Sequence, residues 1–311
     1  MRQKSLVAVG LFVAASLPLV AVACSSASGS ADPVGSDGGG PDGSTTPVRE
    51  GGSEDSAASD AGSDAPIGTT ADEIEPNDGK TATEIGKMTV PGTMNGAIDP
   101  ANDIDVFSVT LTPGELWDWT VTPTGADLAP HFALFDTTPN NLNPPAVVAG
   151  TPGKPLTASA FVLRPGAFVA AVRDARNVPT ASGRGGATYG YALTATKKTP
   201  APVAVTFPST KSGKLASLGA VDLYTFTGTS GKGFDIVVRA KRKAAPSTLD
   251  SRLSLFDITA KKALITNDDA AGTSDSQVGS DDPAPSTYMV IVENEGTDAT
   301  DLSYEIEFSL R

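Results

Sequence analysis

The sequence predicts an all-β protein: two tandem antiparallel β-sandwich domains, jelly-roll-like in form, behind a disordered N-terminal tether. Three observations lead there. Apolar and polar residues alternate over short stretches, as in Phe107-Ser-Val-Thr-Leu111 and Trp117-Asp-Trp-Thr-Val121, and a period of two marks half-buried strands. Gly and Pro punctuate these stretches at Pro113-Gly114, at Pro165-Gly166 and from Gly228 to Gly233, where the chain must turn. No segment carries a convincing helical period, so sheet must pack on sheet.

The pattern occurs twice. Ile104-Asp-Val-Phe-Ser-Val109 lines up with Val221-Asp-Leu-Tyr-Thr-Phe226, an offset of 117 (221 − 104). At that offset Gly114 meets Gly231, and Trp117, Trp119 and Val121 meet Phe234, Ile236 and Val238. Phe132–Asp136 then meets Leu253–Asp257, Phe168–Val172 meets Tyr288–Val292, and Tyr191-Ala-Leu193 meets Tyr304-Glu-Ile306. Units this long are whole domains rather than solenoid repeats, and their expected bounds are 71–198 and 199–311. The alignment of Trp117 and Trp119 with Phe234 and Ile236 assigns both tryptophans to a core rather than to an exposed platform.

Ahead of the repeats, Met1-Arg-Gln-Lys4 is a short positive start, Ser5 to Val22 is apolar, and Ala21-Val-Ala-Cys24 closes the run. This is the order of a secretory signal peptide, placed at 1–23. The last four residues resemble a bacterial lipobox, with Ala21 where that motif usually has Leu. The resemblance implies that Cys24, the only cysteine of the chain, becomes a lipidated first residue and anchors an exported protein. By resemblance to the sorting rule of enteric bacteria, Ser25 in the next position implies the outer membrane, on its periplasmic or cell-surface side. An ordinary signal cut after Ala23 is the alternative. Residues 24–70 then form the tether. Ser, Gly, Asp, Ala and Pro dominate them, and no aromatic residue is present. Such a stretch cannot bury enough apolar surface to offset its ordering entropy.

Composition excludes several classes. The formal net charge is −13, which repels nucleic acid, and the longest basic run, Arg239 to Lys243, reads as a solvated strand end. One cysteine permits no internal disulfide and no cysteine-built metal site. One histidine, His131, excludes a His-Glu-x-x-His zinc site, and it reads as a surface strand position. No nucleophile elbow or phosphate loop is present. The reading is that the chain is not an enzyme. A hydrolase using strand-end acids such as Asp103, Asp105 or Asp222 is the catalytic alternative.

Glu75-Pro-Asn-Asp78, followed by Ala82, Gly96, Asp103, Asp105 and Phe107, resembles the opening of the bacterial pre-peptidase C-terminal domain. In the second repeat Asp222-Leu-Tyr224, Leu249–Asp257, Asn267-Asp-Asp269 and Tyr288–Val292 resemble that family's later segments. The resemblance implies a jelly-roll-like sandwich of about a hundred residues (by the family's usual extent), usually appended to secreted exoenzymes, some relatives of which bind calcium or fibrous substrates.

Calcium is the one cofactor the residues suggest, because it takes six to eight oxygen ligands from carboxylates, amides, carbonyls and water. Glu75, Asn77, Asp78, Asp103 and Asp105 are the candidate ligands. Asn267, Asp268, Asp269 and Asp275 form a second acidic loop, expected to bind more weakly or not at all. Solvated loops and turn caps are the other reading of all these acids. The expected function is that of a non-catalytic envelope lipoprotein, held to the membrane through Cys24 and presenting its sandwiches to a protein, polysaccharide or exoenzyme. A spacing protein without specific ligand is the alternative.

Overall fold

Alternation in the sequence becomes alternation of burial. Along Asp105–Leu111, residues 105, 107, 109 and 111 are buried, and along Leu116–Pro123 so are Trp117, Trp119 and Val121. The computed structural model describes residues 68–79, 81–137, 146–177, 183–270 and 272–311. The signal segment, Cys24 and the tether up to residue 67 lie outside the described residues. Pro66–Arg311 is one compact unit.

Its first part contains β1 (Thr69–Asp72), β2 (Gly86–Lys87), β3 (Gly92–Ala97), β4 (Asp105–Leu111), β5 (Leu116–Pro123), β6 (Pro130–Asp136), β7 (Ala146–Ala149), β8 (Leu156–Phe161), β9 (Gly166–Asp174) and β10 (Gly190–Lys198). They form two sheets, ordered β1-β3-β10-β5-β8 and β2-β4-β9-β6-β7. The second part contains β11 (Val203–Ala204), β12 (Ser209–Lys214), β13 (Asp222–Thr227), β14 (Phe234–Arg239), β15 (Ser251–Asp257), β16 (Lys262–Asn267), β17 (Gln277–Ser280), β18 (Thr287–Asn294) and β19 (Ser303–Leu310). These form sheets ordered β11-β13-β18-β15-β16 and β12-β19-β14-β17. The only helical element among the described residues is a 3-10 turn at Ala82–Glu84. No helix there is long and apolar enough to cross a membrane.

The repeat is a repeat of register as well as of sequence. Asp105 pairs with Val172 and Asp222 with Val292. Val121 pairs with Leu193, and Val238 with Ile306. Phe132 pairs with Val172, and Leu253 with Val292. Each aligned residue thus meets the aligned partner. One strand has no counterpart: β1 extends the first sandwich by an edge that the second lacks.

One expected boundary shifts: the tether was expected to run to residue 70, but Thr69 already begins β1. The sandwiches are antiparallel as expected, except at the short edge strands β1, β2 and β11, which pair in parallel with β3, β4 and β13. Each of these strands enters its sandwich at a sheet edge, where a short segment can pair in either direction.

Inside the first sandwich Trp119 of β5 stacks on Phe132 of β6, centroids 5.5 Å apart, and so joins the two sheets. Both tryptophans are buried. In the second, Phe226, Phe234, Tyr288 and Phe308 fill the same space. A third apolar cluster lies between the sandwiches: Phe161 and Leu163 meet Leu223, Phe256, Ala263, Met289 and Ile291. Phe161 and Phe256 touch edge to face at 5.2 Å. The sheet containing β13, β15 and β18 is therefore covered on both faces. That accounts for the unbroken apolar run Tyr288-Met-Val-Ile-Val292, which does not alternate.

His131 corrects a further expectation. It is buried rather than on the surface. Burial first, then the nearby Arg173 charge, lower its pKa to about 4, so the ring is neutral at pH 7. Its counterpart Arg252 is also buried, bonded to Glu293 and Glu295. The basic run is not simply solvated either. Arg239 pairs with Glu307, Lys241 donates to Ser247 O, Arg242 pairs with Asp275, and Lys243 donates to Ser303 Oγ.

Candidate metal centre

The chain segment after β1 runs across the ends of β3 and β4. Glu73 N donates to Asn95 O (2.9 Å) and Val106 N donates to Asn77 O (3.0 Å), which pins the segment to both sheets. The turn into β4 fixes the opposing acids. Asp103 N donates to Pro100 O (3.1 Å), and the Asp103 carboxylate accepts from Ile104 N (2.9 Å) and Asp99 N (3.2 Å). Asp103 is thus a turn cap and, at the same time, a member of an acidic cluster.

All five residues singled out in the sequence meet there. Carboxylate oxygens of Glu75, Asp78 and Asp103 lie within 4.8 Å of one another. Those of Glu73, Glu75 and Asp105 do so as well, and Glu75 is shared by the two triads. Asn77 and Asp105 are fully buried. Asn77 Nδ2 donates to Glu73 Oε2 (3.1 Å), and Tyr191 Oη donates to Asp105 Oδ2 (2.6 Å). Asn77 Oδ1 and Asp105 Oδ1, however, have no hydrogen-bond donor. A buried acceptor left unsatisfied costs about 1–3 kcal/mol, and a cation held by these acids would offset that cost.

Electrostatics agree. Desolvation is the first cause raising Asp105 to about 9, with Glu73, Asp103 and Glu75 adding to it against the Tyr191 hydrogen bond. Desolvation, then the hydrogen bond to Asp78, raise Asp103 to about 7. Glu73 is raised as well, by burial first. Without a cation Asp105 holds its proton at neutral pH; a divalent ion inverts that preference.

Glu73 and Tyr191 were not among the residues singled out. Glu73 was legible in principle, since an extended segment points residues 73 and 75 the same way. Tyr191 entered only through the repeat, aligned with Tyr304; it is buried, and its hydroxyl reaches the acids. Gly96 opposite Tyr191 is required: a Cβ there would collide with Glu73 Oε2 and the Tyr191 hydroxyl.

The second sandwich does not rebuild this centre. Tyr304 Oη donates to Asp222 Oδ2 (2.5 Å) and shares a hydrogen bond with Tyr224 Oη (2.9 Å). Ala220 stands where the repeat offset places Asp103 (103 + 117). Asp275, read as part of an acidic loop, is instead fully buried. It accepts from Ala240 N and Lys241 N (2.7 Å each) and pairs with Arg242 at 2.5 Å. Asp268 and Asp269 lie near Asp250 and Glu295 instead, whose pKa values burial raises. Among the described residues no ligand triad forms in this sandwich.

No protein-family model and no curated protein matches the chain. Similar solved structures include the pre-peptidase C-terminal domain of collagenase from Bacillus anthracis, at 18% identity and a TM-score of 0.30, covering 36% of this chain and 98% of that one. PliG, a periplasmic inhibitor of g-type lysozyme from Aeromonas hydrophila, is 16% identical with a TM-score of 0.28, covering 35% and 96%. The tandem CBM51 modules of a family 98 glycoside hydrolase from Streptococcus pneumoniae are 10% identical with a TM-score of 0.20, covering 66% and 81%.

Proposed function

We propose that this chain is a non-catalytic envelope lipoprotein whose first sandwich holds calcium and whose paired sandwiches form a binding module for an extracellular or periplasmic partner. The observation that carries the calcium reading is the pair of buried, unpartnered oxygens, Asn77 Oδ1 and Asp105 Oδ1, among five carboxylates. The donor set is wholly oxygen, which suits a hard cation and not zinc. Its size leaves room for backbone carbonyls and water to complete six to eight ligands. Calcium bound there has a structural role: it ties the segment of Glu73, Glu75, Asn77 and Asp78 to the Asp103 and Asp105 strand start.

The non-catalytic reading rests on the poverty of acid–base groups beyond these acids. The sole histidine is buried in a sheet, and the sole cysteine belongs to the export signal. The anchor reading rests on Ala21-Val-Ala-Cys24. Fractionating cells that express the chain, and weighing its mature N-terminus by mass spectrometry, tests the anchor. The expected form begins at Cys24 with acyl chains and sediments with the outer membrane. A soluble, unacylated Cys24 or Ser25 terminus contradicts it. Native mass spectrometry of the same material tests the ion: a calcium adduct lost on Asp105→Asn is expected, and an adduct indifferent to that change contradicts the site.

A further inference from the structure

The two sandwiches differ by one strand, and the difference leaves an open edge. Matched by register, β3, β10, β5 and β8 correspond to β12, β19, β14 and β17. In the first sandwich β1 lies parallel on β3, Thr69 beside Gly92 through Asp72 beside Asn95. In the second, β12 is the edge of its sheet. The reason is in the chain: residues 199–202 alone separate β10 from β11, so no segment is left to lie beside β12.

The vacated place keeps the features that receive the segment in the first sandwich. Gly213 pairs with Tyr304 as Gly96 pairs with Tyr191. Asp222 and Leu223 stand where Asp105 and Val106 stand. A cavity of about 400 Å³ borders the vacated place, walled by Ser212, Gly213 and Asp222 together with Lys198, Thr199 and Ala201 of the connection from the first sandwich. The equivalent volume in the first sandwich is crossed by Glu73–Gly79. The charge differs too. Met94 and Ala97 of β3 are replaced on β12 by Lys211 and Lys214, both exposed. Edge lysines discourage pairing with neutral strands and favour an acidic one.

We infer that β12 is a docking edge for an extended acidic segment of a partner protein, which adds to the sheet in parallel as β1 does in the first sandwich. Backbone hydrogen bonds along Ser209–Ser212 supply affinity, as in other strand-addition complexes. The acids of the segment face Lys211 and Lys214, so no cation is needed. The inference does not depend on the calcium reading.

The probe is a fluorescent peptide of residues 68–79, whose sequence fits the equivalent edge of the first sandwich and carries Asp72, Glu73, Glu75 and Asp78. Fluorescence anisotropy on the full chain is expected to show saturable binding at one equivalent. Ser212→Pro should abolish it: Ser212 takes the place of Asn95, whose carbonyl faces outward to Glu73, so proline removes an edge donor and spares the ladder to β19. Lys211→Glu with Lys214→Glu should weaken binding at least tenfold. Circular dichroism melts of both variants check that they fold. No binding at millimolar chain overturns the inference. So does binding that survives Ser212→Pro, which would mean that the peptide had displaced the chain's own segment or joined a second copy elsewhere.

Discussion

Tyr191 Oη donates to Asp105 Oδ2 at 2.6 Å, and Tyr304 Oη makes the same contact to Asp222 Oδ2 at 2.5 Å. The two repeats thus share a buried tyrosine–aspartate pair, each over a glycine of the neighbouring strand. Only in the first do further acids gather around it. The second closes the circuit with the Tyr224 hydroxyl, at the position where the first has Phe107.

That contrast predicts different responses to losing the hydroxyl. Tyr304→Phe strands Asp222 and Tyr224 together, and it should cost about 1–3 kcal/mol, a fall in melting temperature of about 2–4 °C per kcal/mol for a unit of this size. Calcium should not restore it. Tyr191→Phe should cost a similar amount in chelator, and calcium should restore most of the loss by taking over Asp105. Melting curves of both variants with and without calcium check this.

Stability of the ion-free chain should fall as pH rises. Asp103 and Asp105 are raised to about 7 and about 9, above the usual carboxylate value of about 4. The folded chain therefore holds more protons than the unfolded one across that window. A raised carboxyl contributes stability that is complete below its unfolded pKa and is lost as pH climbs through its folded pKa. Denaturant melts in chelator from pH 5 to pH 9 should show a declining midpoint. With saturating calcium the decline should flatten, because the ion displaces the protons.

The interface predicts shared unfolding. Phe161 and Phe256 belong to different sandwiches and are both buried in the cluster between them, so the intact unit should melt in one calorimetric transition. Phe161→Ala should remove about 3–5 kcal/mol and split the melt in two. A single unsplit transition at lower temperature would show that the sandwiches are coupled by other contacts.

Much of this architecture was legible in the sequence, because alternation and repetition are direct consequences of strand geometry. That Asp222 meets Val292 as Asp105 meets Val172 agrees with the alignment of Phe168–Val172 with Tyr288–Val292. The acidic centre was legible through Glu75, Asn77, Asp78, Asp103 and Asp105, though whether the two segments met could not be read from spacing. Glu73 was missed because it precedes the motif by two residues. His131 was misplaced because β6 is buried along Pro130–Leu134 without alternation, which a period of two does not foresee. Asp275 was misread because a carboxylate in an acidic loop looks the same in sequence whether it faces solvent or caps Ala240, Lys241 and Arg242.

Asp275 supplies its own test. It accepts three backbone N–H bonds and the Arg242 guanidinium from full burial, and its partners lower its pKa despite desolvation. Asp275→Ala leaves them without an acceptor and should cost about 3 kcal/mol, with calcium affinity unchanged. A loss of calcium binding in this variant, measured by native mass spectrometry, would return Asp275 to a ligand role.

The calcium centre is tested most directly by the melting temperature of the full chain in chelator and in millimolar calcium. An ion that binds only the folded state stabilises it by about 2.7 kcal/mol when its free concentration is a hundred times Kd. A rise of several degrees is predicted, absent in Asp103→Ala and in Asp105→Asn. An unchanged melting temperature for the unsubstituted chain, or a rise that both variants keep, would contradict the account and leave these acids as turn caps and solubilising charge.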